Sequence, residues 1–171
     1  MEFQIETVMN RKIMTALAKS ARKTMRRKRN ILIRTFGTAA CILAVMSGVM
    51  RSAAGDPHGW IDLLLAACLL AFILLEDAIN AWTAMRQVQP GNDEIFSVFR
   101  NDGYTNSTSL AEGNWTYDKI QAVCETKNCF VLLLGVQQGQ VYAKDGFSKG
   151  SAEEFRSFIS ERTGKPVQYI K

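Results

Sequence analysis

The residues able to do chemistry are few and scattered. The 171-residue chain holds one histidine, His58, and four cysteines, Cys41, Cys68, Cys124 and Cys129. A single imidazole removes Ser-His-Asp, Cys-His and multi-histidine metal chemistry unless another chain donates a histidine. No P-loop, GxGxxG, CxxC pair or HExxH motif occurs. Cys124 and Cys129 flank the turn Thr126-Lys127-Asn128 and could face each other across two strands, but the further ligands of a metal or redox site are missing. They read as buried thiols in a reducing compartment. The carboxylate pairs Glu76-Asp77, Asp93-Glu94 and Glu153-Glu154 suit an interface, a loop and a helix N-terminus, where acidic groups are favoured by the dipole. The expectation is a protein that is not an enzyme, with no catalytic residue, cofactor or metal.

Charge is more informative than reactivity. Ten Lys/Arg and two Glu fall within residues 1–36, a balance of 10 − 2 = +8, and the rest of the chain carries 11 − 14 = −3, which together give the net +5. The pI near 9.1 therefore reports one basic segment. Such a run meets either nucleic acid phosphates or anionic lipid headgroups. The adjoining segment favours lipid. Ile31 to Met50 carries Arg34 as its only charge, and twenty helical residues span roughly 30 Å, the thickness of a bilayer core. The connection Arg51–Gly59 holds Gly, Asp-Pro and Gly, the composition of a tight link. Trp60 to Trp82 forms a second apolar run bracketed by indoles, which anchor spans at the two water interfaces. A buried helical hairpin in a soluble core is the alternative, but the remaining chain is short to cover it.

Basic residues stay on the cytoplasmic side of a membrane, so the expected protein is multi-pass in the cell (inner or plasma) membrane, with the N-terminus and the C-terminal segment cytoplasmic. The sequons Asn106-Ser107-Thr108 and Asn114-Trp115-Thr116 then stay unglycosylated. Arg22, Lys23, Arg26, Arg27, Lys28 and Arg29 are the candidate membrane-surface residues, attracted to anionic lipid at about 1 kcal/mol each; fixing topology alone would also account for them. No recognition helix or aromatic interleaving supports nucleic acid binding. Within the membrane, Arg34 and the pair Glu76 and Asp77 lie at similar depth, roughly 12 Å from the midplane, and are expected to pair. Ala40, Ala44 and Gly48 on the first span, and Ala67 and Ala71 on the second, are candidates for close helix packing.

Upstream, Met9 to Met25 has helical periodicity, with Ile13, Met14, Leu17, Ala18, Ala21 and Met25 on one side, and residues 2–6 alternate as a strand. Downstream, Gln89-Pro90-Gly91-Asn92 reads as a break, after which the pattern turns to strands at Glu94–Arg100, Tyr104–Leu110, Trp115–Glu125, Cys129–Val136 and, after Gln137-Gln138-Gly139, Gln140–Lys144. Ser151 and Glu154 form a capping box opening a short helix that Gly164 and Pro166 end. A five-residue strand is not stable alone, so the N-terminal one is expected to pair with the C-terminal sheet, with Phe3 and Ile5 inward. The fold class expected is an α+β membrane protein: a two-helix transmembrane hairpin plus a small antiparallel, pleckstrin-homology-like β domain closed by a C-terminal helix. Its segments are 1–8 strand, 9–30 basic helix, 31–50 and 60–82 spans around the loop 51–59, 83–93 linker and 94–171 domain.

This order of segments resembles the YcxB-like family of bacterial membrane proteins. The stretch from Trp115 through Ile120 and Val123 to Glu125 resembles the family's aromatic, Ile, Val, Glu strand, and Phe130–Leu134 its apolar strand. Ala143-Lys144-Asp145-Gly146-Phe147 and Glu154-Phe155-Arg156-Ser157-Phe158 resemble two further elements. The stretch from Trp82 to Glu94 is short for the helix that family members carry after the membrane hairpin. The resemblance implies an architecture and no particular activity. Two functions are compatible with it. One is a non-enzymatic membrane-anchored binding or regulatory protein whose partners are anionic lipid and a protein or a second copy. The other is a small accessory subunit, immunity- or transporter-associated, acting through its hairpin.

Overall fold

The structure, a computed structural model, describes residues 1–87, 93–136 and 138–170. The expected break at Gln89–Asn92 and the residue Gln137 lie outside them. The chain divides into two compact units, one formed by Met1–Arg26 together with Asn80–Lys171 and the other by Arg27–Ile79.

The first unit is built on two sheets. Strand β1 (Phe3–Val8) pairs antiparallel with β2 (Glu94–Phe99) over its whole length, Phe3 opposite Phe99 and Val8 opposite Glu94. Strands β3 (Tyr104–Ser107), β4 (Glu112–Trp115) and β8 (Phe147–Lys149) complete a five-stranded sheet in the order β4-β3-β2-β1-β8. The N-terminal strand is therefore interior to its sheet, between β2 and β8, and the segment between β1 and β2 in sequence is inserted within one folded unit. The second sheet has the order β7-β6-β5-β9, with β5 (Ala122–Glu125), β6 (Cys129–Leu133), β7 (Gly139–Ala143) and β9 (Val167–Tyr169). It is mixed, not antiparallel as expected, because β9 returns from helix α4 (Ala152–Thr163) to lie parallel to β5. Helix α4 supplies the long crossover that parallel strands need.

Both sheets and α4 enclose one core. Phe3 and Ile5 from β1, Phe99 from β2, Phe130, Leu132 and Tyr142 from the second sheet and Phe155 and Ile159 from α4 are all buried. The rings meet mostly edge to face, as with Phe99 on Phe155 at 4.8 Å and 75°. The single strand expected over Trp115–Glu125 is divided. Tyr117 leaves the alternation in a 3-10 turn (Tyr117–Lys119), and its hydroxyl donates to the carbonyl oxygens of Arg100 (2.5 Å) and Gly103 (3.1 Å). That anchor turns the chain from β4 into β5 and so from one sheet to the other. The opposite face of the second sheet is covered by α1 (Arg11–Lys23), which seats Ile13, Ala16, Leu17 and Ala21 against Cys124, Val131 and Val141. The apolar side of this basic helix is thus occupied by protein. Asn10 caps it, accepting from the Ile13 amide. Helix α4 opens on the expected capping box and closes at Gly164, which takes φ 63°, the left-handed region that favours glycine.

The second unit is a helical hairpin of α2 (Arg27–Ala53) and α3 (Gly59–Gln87), α3 continuing beyond the unit at its C-terminal end. Both helices are long and apolar enough to cross a membrane. Each runs past the expected span, and α3 extends five residues beyond Trp82. Their seam repeats at three- and four-residue steps: Arg34, Gly37, Cys41, Ala44 and Gly48 on α2 face Asp62, Ala66, Leu69, Ile73 and Glu76 on α3. Space at the seam is tight, since a Cβ on Gly37 would sit 2.8 Å from Ile73, and one on Gly48 2.9 Å from the Gly59 carbonyl. Of the small residues expected to pack, Ala44 and Gly48 lie on the seam, whereas Ala40, Ala67 and Ala71 are exposed and Ala66 takes the buried place. A seam of two helices follows the seven-residue repeat, which a stripe at strict four-residue spacing drifts away from.

Candidate functional site

Two features of the first unit gather polar chemistry. The first is an ion cluster at the end of β5. Glu125 is buried and accepts from Arg156 Nε (2.6 Å) and Nη2 (2.7 Å), a two-pronged pair, and from Lys144 Nζ at 2.5 Å. Hydrogen bonding to Arg156 is the largest influence on its carboxyl, and Lys144 adds to it, so the pKa falls to about 2 against the cost of burial. The cluster ties β5, the start of the 3-10 turn Lys144–Gly146 and α4 together. Both carboxylate oxygens are engaged by cations of the chain itself, so the cluster reads as a structural clamp.

The second feature is a groove of about 940 Å³ between α1, the β5–β6 turn and β9. Its apolar floor includes Ile13, Ala16 and Ile170, and Lys12, Lys19, Lys127 and Lys144 stand along its rim with one carboxylate, Asp145. Lys144 is committed to Glu125. Among the described residues, Lys12, Lys19 and Lys127 have no ion-pair partner. This site escapes a linear reading, because Lys12 and Lys19 come from one helix face and Lys127 from a hairpin turn more than a hundred residues later. The only signal in the sequence is the seven-residue spacing of Lys12 and Lys19, which places both on one side of a helix.

The expected surface residues occupy three settings. Arg22 and Lys23 lie in the last turn of α1, where cations suit the helix dipole. Arg26 lies in the following turn and donates from Nε to the Val136 carbonyl at 2.9 Å. Arg27, Lys28 and Arg29 occupy the first turn of α2, where no acidic residue accompanies them. In the hairpin, Arg34 Nη2 lies 3.9 Å from Glu76 Oε2 and donates to the Ile73 carbonyl at 3.2 Å; Asp77 follows Glu76, half-buried. Trp60 is 60% and Trp82 42% exposed near opposite ends of the apolar part of α3, and the Arg86 guanidinium stacks 3.6 Å over Trp82. At the closed end, Asp62 accepts from Ser47 (2.8 Å) and Arg51 (3.4 Å). Cys124 and Cys129 are free thiols that do not face each other, since Cys124 lies opposite Val131 and Cys129 opposite Ala143. Burial pushes both thiols up, which lowers their reactivity. Among the described residues no three His, Cys, Asp or Glu side chains are grouped to hold a metal ion.

Fold and side chains together define an α+β protein with two helices long and apolar enough to cross a membrane and a two-sheet unit carrying a lysine-rimmed groove. Residues 99–159, from the last residue of β2 into α4, match the model of the YcxB-like protein family. The match covers the buried strands β5 to β7 and most of α4, the part of the chain where resemblance rested on apolar patterning. No curated protein and no solved structure matches the chain.

Proposed function

We propose that the chain is a non-enzymatic, membrane-anchored binding or regulatory protein that presents a pleckstrin-homology-like domain at the cytoplasmic face of the cell membrane. The observation carrying this reading is the pairing of β1 with β2 on either side of the hairpin in sequence. Because these two neighbouring strands lie on either side of the hairpin in sequence, the domain is joined to the membrane segment by two chain connections and not by one. Support for the membrane comes from the surfaces of α2 and α3: a core helix of a soluble protein buries its apolar window, whereas only 6% and 11% of these windows are covered. The first turn of α2 argues in the same direction. Arg27, Lys28 and Arg29 oppose the helix dipole there, at roughly 0.3–1 kcal/mol each at low salt, so local helix stability does not account for them. Attraction to anionic lipid and retention on the cytoplasmic side do. The two packed sheets capped by α4 fit the pleckstrin-homology-like plan, and such a unit offers edges and grooves to a partner.

The second reading, an accessory subunit working through its hairpin, draws on Ala67 and Ala71, a smooth exposed face against which another span could pack. Deleting residues 93–171 separates the two. On the first reading the copurifying protein is lost, and on the second it is retained. Labelling from outside tests orientation: a cysteine at Ser52 should react and one at Ser148 should not, and the reverse result overturns the cytoplasmic assignment.

A further inference from the structure

One wall of the lysine-rimmed groove is itself a helix. Ile13, Leu17 and Ser20 mark the docked face of α1, and Lys12 and Lys19 lie roughly a third of a turn away around its axis. Ala16 stands between the two lysines on the groove side, four residues after the first and three before the second. That flank therefore offers a small residue where a partner backbone can approach, with a cation at either end. The spacing of the cations selects the shape of what lies there. Lys12 and Lys19 are two helical turns apart, about 10.5 Å along the axis, and a second helix repeats one face after the same seven residues and the same distance. On an extended chain one face recurs every second residue, at about 6.6 Å and about 13 Å, so no pair of side chains on one face matches. A single phosphate is too small to engage both lysines without drawing them together. On the other wall stand Lys127, on the β5–β6 turn, and Tyr169, which is 57% exposed; Ile13 and Ile170 close the floor. Charge is one-sided, because the one carboxylate of the rim, Asp145, follows Lys144 in sequence at the end of β7 and leaves the other three lysines positive.

We propose that the groove receives an acidic amphipathic helix of a partner protein, laid along the flank of α1. Carboxylates seven residues apart on one of its flanks meet Lys12 and Lys19, and a carboxylate on the other flank meets Lys127. Small apolar residues between them pack on Ala16 and Tyr169. Paired helices at a crossing angle near 20° and an axial distance of about 8–10 Å stay in register over two turns, and an apolar stripe at i, i+3, i+4 and i+7 is the usual anchor in a groove. This rests on the reading of the chain as a binding module and names the partner's chemistry.

The test uses the full chain in neutral detergent micelles and a fluorescein-labelled, hydrocarbon-stapled helix of about fifteen residues, enough to cover the two turns from Lys12 to Lys19. The peptide carries glutamates on both flanks of an alanine stripe, and its anisotropy in empty micelles is the background. It should bind the chain, more weakly as salt rises, and its glutamine-for-glutamate counterpart should not. An unstapled peptide of the same charge with a central proline should bind at least about tenfold more weakly, because proline breaks the seven-residue repeat; equal binding overturns the assignment of a helix. Lys12→Glu with Lys19→Glu and Lys127→Glu should weaken binding by about tenfold or more, because three exposed attractions become repulsions. Lys119→Glu with Lys165→Glu, at exposed positions that do not line the groove, should leave it within about twofold. Unaltered affinity in the triple lysine variant, or an equal loss in the Lys119→Glu, Lys165→Glu variant, overturns the proposal. So does a lysine-acylation experiment in which phosphatidylglycerol in the micelle, and not the peptide, protects Lys12, Lys19 and Lys127. The wider reading is tested separately by the deletion of residues 93–171, so a groove that refuses the peptide while the partner is still lost on deletion refutes this inference alone.

Discussion

Replacing Glu125 by Gln keeps the shape of the side chain and removes its charge. In the folded protein the carboxylate is 5% exposed and held by Arg156 and Lys144, and its pKa falls from the ordinary 4.5 to about 2. At roughly 1.4 kcal/mol per pH unit that difference is worth about 3 kcal/mol. Arg156 and Lys144 remain partly in water, so they rehydrate when the charge is lost, and the cost of Glu125→Gln should lie near 2–3 kcal/mol and below the 3–5 kcal/mol typical of a fully buried pair. The same shift sets the sign of the pH dependence. A carboxyl with a depressed folded pKa contributes its full stability above 4.5 and loses it as pH falls from 4.5 through about 2. Urea unfolding of the full chain in nonionic detergent, followed by the near-ultraviolet signal of Tyr104, Tyr117 and Tyr142, measures this. The gap between wild type and Glu125→Gln should be steady from pH 7 to 5 and close towards pH 2. A gap below about 1 kcal/mol at pH 7, or one that persists unchanged at pH 2, refutes the assignment of the ion cluster as a clamp on β5 and α4.

Other positions respond to single changes for equally local reasons. A Cβ on Gly146 would fall 1.7 Å from the Glu6 carbonyl oxygen, so Gly146→Ala should push β8 off β1 and cost at least about 2 kcal/mol in the same urea assay. In the hairpin, Ala66→Leu should weaken the helix pair while Ala67→Leu leaves it unchanged, because Ala66 is 5% exposed on the seam and Ala67 points away; cross-linking between α2 and α3 in detergent reads this. Removing Glu76 as Gln should destabilise the hairpin by only about 0.5–1 kcal/mol, since Arg34 keeps its bond to the Ile73 carbonyl at 3.2 Å. Amide exchange at residues 3–6 should be slow in the full chain and become fast when residues 93–171 are removed, because β1 is bonded on both sides to strands from that segment.

Much of the architecture was legible one residue at a time. The apolar runs of α2 and α3, the alternation of Phe3 and Ile5, and the capping box of Ser151 and Glu154 are local patterns, set by the periods of helix and strand and by the unsatisfied amides of a helix start. From alternation and the instability of a lone strand, even the pairing of β1 across the hairpin could be expected. The features that escaped have their cause elsewhere in the chain. Three-residue strands such as β8 and β9 carry too few residues for a period to show, and β9 lies parallel to β5 only because α4 brings it back. Tyr117 breaks a run that alternates well in sequence, for the sake of two carbonyls on the β2–β3 turn. The helix seam chose Ala66 over Ala67 because two helices settle their contact jointly, at a spacing neither sequence declares alone. Lys12, Lys19 and Lys127 share a groove for the same kind of reason: their side chains converge when Ile13 and Leu17 dock on the second sheet, and burial of that apolar face decides where the charges end up.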